Sequence, residues 1–223
     1  MIKNARSLNP ISGKANVWVV GGLSILALMA IGGVILFFIV KGAADDYVDT
    51  YTSTEMSVFP TPTMTAEEAQ PLIDDFNAFK TAIDNGEAPD AFSLTGDEIN
   101  ILLQYDKTLD ALAGMAHVDI EEDRIYADVS VPLGMITDML EGQYLNGSGL
   151  IQINMQEDEL YLSLDQLEVK GVAVPEGIMN EIRTVNQADE IQDNPDARRL
   201  LKQIASITVE DGRLVIIPKP LEE

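Results

Sequence analysis

The stretch GLIQINMQEDELYLSLDQLEVKGVAVP, residues 149–175, decides how this chain folds. Ile151, Ile153 and Met155 alternate with polar residues, Glu157-Asp158 supplies a turn, and Leu160, Leu162 and Leu164 alternate on the way back. Period-two alternation on both sides of a polar turn predicts an antiparallel hairpin with one buried face. Leu167 and Val169 continue the return strand on the opposite parity. The switch near Asp165-Gln166 predicts a bulge, which returns the later apolar residues to the buried side.

Working outward, two more hairpins flank this one. Upstream, Val118 and Ile120 lead into the acidic turn Glu121-Glu122-Asp123, and Ile125, Ala127, Val129 and Val131 follow until Pro132. Downstream, residues 207–210 and 214–217 enclose Asp211-Gly212, a strong tight-turn pair. That makes about six strands, mostly antiparallel. One face is apolar, and the other carries Tyr126, Asp128, Ser130, Gln152, Tyr161 and Ser163.

Helical patterns occupy the rest. Thr65 and Glu68 have capping-box spacing before the stripe Leu72, Phe76, Phe79 and Ile83, which Gly86 can end. Pro71 suggests that the regular helix starts there. A second box, Thr95 and Glu98, opens a helix with Ile99, Leu102 and Leu103. A short helical piece is expected near 134–140. Pro175 opens a region with Ile178, Met179 and Ile182, and Asn194-Pro195 another with Leu200, Leu201 and Ile204. The expected fold class is α+β, a curved, mostly antiparallel sheet packed on helices.

Residues 17–40 read differently. VWVVGGLSILALMAIGGVILFFIV holds 24 residues without a charged side chain. As a helix it reaches roughly 36 Å, enough to cross a hydrocarbon core of about 30 Å. Trp18 sits where an amphipathic ring suits the headgroup zone. Lys3, Arg6 and Lys14 precede the span; Lys41 and then Asp45, Asp46 and Asp49 follow it. That asymmetry puts the N-terminus in the cytoplasm and the rest outside the cell membrane. Gly42-Ala43-Ala44 imitates a cleavage site, but the apolar run exceeds the 7–15 residues of a signal-peptide core. The expected organisation is a cytoplasmic tail (1–16), a transmembrane helix (17–40), a Thr/Ser/Pro-rich stalk (41–65) and one extracytoplasmic domain (66–223).

Composition sets limits on function. The chain has no cysteine, one histidine and a formal charge of −23. All 37 acids follow residue 40 with 11 of the 14 basic residues, a balance of −26 outside against +3 in the tail. Such a field disfavours nucleic acid, which needs clustered Lys and Arg. Without Cys there is neither a disulfide framework nor a thiolate metal site. His117, the only imidazole, is accompanied by no nucleophile motif or phosphate loop, so no enzyme, cofactor or metal is expected. Asp119, Glu121, Glu122 and Asp123, and Glu157, Asp158 and Glu159, crowd two turns without the spacing of a calcium loop. Asn146-Gly147-Ser148 is a glycosylation sequon. Arg198, Arg199 and Lys202 form the one basic cluster of the external part, set to meet an anionic group or to offset Glu190, Asp193 and Asp196.

The order of pieces resembles a known group. LTGDEINILL at 94–103, DIEEDRIYADVSVPLG, GQYLNGSGLIQI, LYLSLDQLEVKGVAVP and a closing DGRLVI hairpin are similar to the YpmS-like and LmeA-like bacterial envelope proteins, related to the tubular lipid-binding superfamily. The resemblance spans residues 92–218 and the single N-terminal span. It implies a curved sheet wrapping a helix and an apolar groove for acyl chains, and brings no catalytic residue. On that reading Ile125, Val129, Ile151, Ile153, Met155, Leu160, Leu162 and Leu164 line a groove for lipid or another apolar ligand. On the other they are an ordinary core under Phe76, Phe79, Leu102 and Leu201, and the domain is an interaction module for an envelope protein partner. Periodicity alone fixes which side is buried and leaves both readings open.

Overall fold

The computed structural model describes residues 51–135 and 138–221. The tail, the span at 17–40 and the first part of the stalk lie outside the described residues. Among those described, no helix is long and apolar enough to cross a membrane.

The folded part is α+β, and all its strand pairs are antiparallel. Among the described residues, eight strands form two sheets rather than about six strands in one. The first strand, β1 (Phe92–Leu94), lies apart from a five-stranded sheet that runs in sequence order through β2 (Ala116–Glu121), β3 (Arg124–Pro132), β4 (Tyr144–Gln156), β5 (Glu159–Val169) and β6 (Val172–Ala173). A three-stranded sheet sets β8 (Arg213–Pro218) between β1 (Phe92–Leu94) and β7 (Ile204–Glu210). The two sheets join at their hairpin tips, where the Gly212 N–H donates to the Glu122 carbonyl at 2.8 Å.

The expected bulge is present. Leu150 pairs with Gln166 and Ile151 with Leu164, which leaves Asp165 as the extra residue. Arg183 pins it, its Nη2 donating to the Asp165 carbonyl at 2.6 Å while Nη1 bonds Glu176 at 2.9 Å. That ion pair holds the Glu176 carboxyl below the usual range.

Helix α1 (Ala66–Asp84) opens on a complete capping box between Thr65 and Glu68. It starts at Ala66 and carries Pro71 inside, against the expectation that Pro71 begins it. Pro71 lies on the exposed face, where water can hydrate the carbonyl that the missing N–H leaves free. The buried stripe is Ala69, Ile73, Phe76, Phe79 and Ile83, with Leu72 only partly covered. Phe79 stacks on Phe92 at 5.0 Å. Gly86 ends the helix at φ +76°, a left-handed conformation that suits glycine.

Helix α2 (Gly96–Tyr105) has the second complete capping box, from Thr95 to Glu98. Arg213 on β8 bonds both Glu98 (3.0 Å) and the Ser93 carbonyl (3.2 Å), tying α2 to the small sheet. The expected piece near 134–140 is two 3-10 turns, Leu133–Met135 and Asp138–Leu140. Three short helices follow: α3 (Glu176–Arg183), α4 (Asp189–Gln192) and α5 (Pro195–Leu201). Ile204, expected on the last helix, instead opens β7 and is fully buried.

Side-chain amides take up backbone groups on the outer side of β2 and on the part of β5 that β6 leaves unpaired. On β2, Asn100 Nδ2–H donates to the Val118 carbonyl and the Val118 N–H donates back to Oδ1, both at 2.8 Å. On β5, the Leu160 N–H donates to Gln192 Oε1 and the Leu162 N–H to Asn186 Oδ1, each at 2.9 Å. Asn186 and Gln192 in turn donate to the Leu160 carbonyl at 2.9 and 3.0 Å. These carboxamides replace the strand that each edge lacks.

Candidate functional site

The eight residues read as groove lining do lie on one face of the large sheet. Six of them, Ile125, Val129, Ile151, Leu160, Leu162 and Leu164, are at most 5 % exposed. They belong to one continuous core with Phe76, Phe79, Leu102 and Leu201. Ile153 and Met155 are partly buried and pack against it. Close packing extends to the backbone: a Cβ at Gly149 would sit 2.9 Å from a Leu164 methyl carbon.

The opposite face is not uniformly solvated, as the alternation suggested. Ser130 is completely buried. What covers it is the chain from residue 51, assigned on sequence to the stalk. Ser53 and Tyr144 exchange backbone hydrogen bonds at 2.8 and 2.7 Å. The Ser57 N–H is shared by Ser130 Oγ (3.1 Å) and Asn146 Oδ1 (3.3 Å). Asn146 also accepts from the Ser130 hydroxyl at 2.7 Å and donates to the Glu55 carbonyl at 2.9 Å. Farther on, Phe59 stacks on His117 with ring centroids 6.3 Å apart, and the Tyr105 hydroxyl donates to the Met64 carbonyl at 2.7 Å. Residues 51–64 are therefore a strap across the outer face of β4, β3 and β2, leading into α1. Its Thr, Ser and Pro carry no apolar period, so sequence pattern gave no sign of docking. Asn146 is the sequon residue, and its Nδ2 is already engaged with the strap.

Two hollows border these elements. One, of about 250 Å³, lies under the strap between Val58, Phe59, Pro60, Leu103, Ala116 and His117. The other, of about 650 Å³, lies where β4 passes β7, lined by Asp123, Arg124, Gln152, Asp165, Thr208 and Glu210 over Ile151 and Ile153. The first is of mixed polarity, with Ser57, Asn100 and Gln104 also in its wall, and is smaller than the ~300–1,000 Å³ of ordinary small-molecule sites; the second is large enough but carries carboxylates.

His117 is half-buried beneath Phe59 with its Nε2 3.5 Å from Asp119 Oδ2. Among the described residues, no three His, Asp or Glu side chains converge as metal ligands. The basic cluster disperses: Arg198 faces Asp193 at 3.7 Å and Arg199 faces Asp84 at 3.5 Å. Sequence reasoning missed two buried charged residues, Lys80 on α1 and Asp106 at the end of α2. Lys80 lies 5.3 Å over the Phe76 ring, and burial pushes its ammonium down against the pull of Asp106 and Asp84. Asp106 Oδ1 caps Thr108, while its buried Oδ2 has no hydrogen-bond partner.

No family model, curated protein or solved structure matches this chain.

Proposed function

We propose that this chain is a single-span protein of the cell envelope whose acidic external domain works as a protein-interaction module with a filled core. The burial of six of the eight candidate lining residues in one continuous core supports that reading over a lipid groove. An acyl chain needs apolar space, and each CH₂ transferred into it contributes about 0.8 kcal/mol. The hollow under the strap is small and partly polar, and the larger hollow is edged by Asp123, Asp165 and Glu210. The order of elements that resembles the YpmS-like and LmeA-like proteins, together with the apolar run at 17–40, supports the envelope location. Recognition then rests on the surface, where the balance of −26 selects basic or neutral partners.

The test uses residues 51–223, so that the strap is kept, expressed in the bacterial cytosol and then incubated with liposomes. Extraction with organic solvent and mass spectrometry should find no bound lipid. Lipid approaching one molecule per domain would return the groove reading to first place. Crosslinking of the full chain in its own membranes should then capture a defined protein partner.

A further inference from the structure

The five-stranded sheet has two chemically different ends. At one, β2 and β3 turn through Glu122-Asp123, and β4 and β5 through Glu157-Asp158. These tips gather Glu121, Glu122, Asp123, Glu157, Asp158 and Glu159, of which Asp158 pairs with Lys219 and Asp123 faces Arg124. At the other end lie Pro132, Tyr144 and the turn at Lys170-Gly171, whose Lys170 N–H donates to the Asn146 carbonyl at 2.7 Å. Exposed apolar side chains collect here: Met135 is 62 % exposed, Val172 44 %. Val58 of the strap, 95 % exposed, follows Ser57, which is held by Ser130 and Asn146 near the same end. Glu55, Asp138, Glu141, Glu168 and Lys170 are also exposed at or near this end, so it is mixed rather than purely apolar.

The chain from the membrane arrives at this second end. Ser53 is locked to Tyr144, the first residue of β4. Only residues 41–50 separate the apolar run from the described fold, and ten residues reach at most about 36 Å. The β4–β5 tip lies a β4 length farther off, roughly 40 Å, and the β2–β3 tip a β3 length, roughly 26 Å, at about 3.3 Å per residue.

We infer that the Tyr144 end of the sheet, with Met135 and Val172 at its surface, is the face that rests on the headgroup region of the bilayer, holding the acidic hairpin tips away from it. The inference depends on reading residues 17–40 as the anchor. The strap fixes where the chain leaves the domain, because Ser53 pairs with Tyr144 at this end, so the tether of residues 41–50 pulls on the Tyr144 end first. Apolar side chains at the headgroup level lose water contact favourably, whereas the acidic tips are repelled by anionic lipid and lose hydration there. The surface available to a soluble partner is then the distal, acidic one.

The native chain has no cysteine, so single labels are clean. Full-length variants Met135→Cys, Val172→Cys, Asp123→Cys and Gln156→Cys, each carrying one fluorophore, are reconstituted in phosphatidylcholine vesicles with ~20 % phosphatidylglycerol. A headgroup-spin-labelled lipid should quench the labels at 135 and 172 at least twofold more than those at 123 and 156. Equal quenching at both ends, or stronger quenching at the tips, in protein that floats with the vesicles overturns the orientation while leaving the anchor intact. Protein that fails to float overturns the anchor and the orientation with it.

Discussion

Asn100 and Val118 pair as two strand residues would, the carboxamide of one giving and receiving a 2.8 Å hydrogen bond with the peptide groups of the other. The pairing lets helix α2 serve as the neighbour that β2 lacks on its outer side. Because both partners are buried, the geometry is worth far more than an exposed side-chain bond.

Asn100→Ala should therefore cost about 2 kcal/mol or more, since it strands a buried N–H and a buried carbonyl. Urea unfolding of the 51–223 fragment checks this. A change below about 0.5 kcal/mol would mean that water replaces the amide and the edge is open.

Gly96→Ala is expected to reverse the usual helix rule. In an isolated helix the change gains about 0.5–1 kcal/mol. Here the added Cβ would lie 2.8 Å from the Val118 carbonyl oxygen and 3.1 Å from the Ile120 nitrogen, both backbone. A net loss of about 1–3 kcal/mol is expected from overpacking. A higher melting temperature would show that α2 can back away from β2.

The strap has its own signature. Asn146→Ala removes an acceptor from Ser57 and Ser130 and a donor from Glu55. Amide exchange at Ser53, Ser57 and Tyr144 should quicken by roughly tenfold or more, with about 1–2 kcal/mol lost globally. Unchanged exchange would mean that the Ser53 and Tyr144 pairing holds the strap unaided.

Lys80 predicts a slope with pH. Burial holds its folded pKa below the ordinary lysine value of 10.5, so between the two values the unfolded chain binds more protons than the native one. Stability from this group is complete above the unfolded pKa and is lost as pH falls through the folded one. Relative to Lys80→Met, the wild type should gain stability as pH rises toward 10.5. Parallel unfolding curves for the two proteins from pH 8 upward would contradict the burial of this amine.

Leu164→Ala separates a filled core from a groove. A fully buried leucine at that site should cost about 2–5 kcal/mol. A loss under about 1 kcal/mol would indicate a wall facing open space.

Much of this was legible in the residues. Alternation through Ile151, Ile153 and Met155 and back through Leu160, Leu162 and Leu164 marks the hairpin, because a half-buried strand has no other period. The parity change at Asp165 marks the bulge for the same reason. Thr65 with Glu68 and Thr95 with Glu98 mark helix starts because both halves of each box satisfy otherwise orphaned N–H groups. What escaped was tertiary polarity. Asn100, Asn186 and Gln192 look like ordinary surface residues until the strand edges that need them are in place. Ser130 reads as outward-facing, and only the strap, itself without periodicity, makes it interior. The split into two sheets depends on which hairpin edges meet, a question that no local pattern addresses. The eight residues share one face, as the alternation implies, yet their covering by helices and the small sheet is a property of the assembled fold.

Under the proposed membrane anchoring, the amide-bonded edges have a consequence for crowding. Molecules confined to a bilayer meet one another far more often than the same number in solution, and an open strand edge would invite copies to zip into aggregates. Asn100 on one side of the sheet, and Asn186 with Gln192 on the other, deny a neighbouring copy those backbone groups. A variant stripped of these amides is thus expected to clump at crowded densities well before it loses its fold.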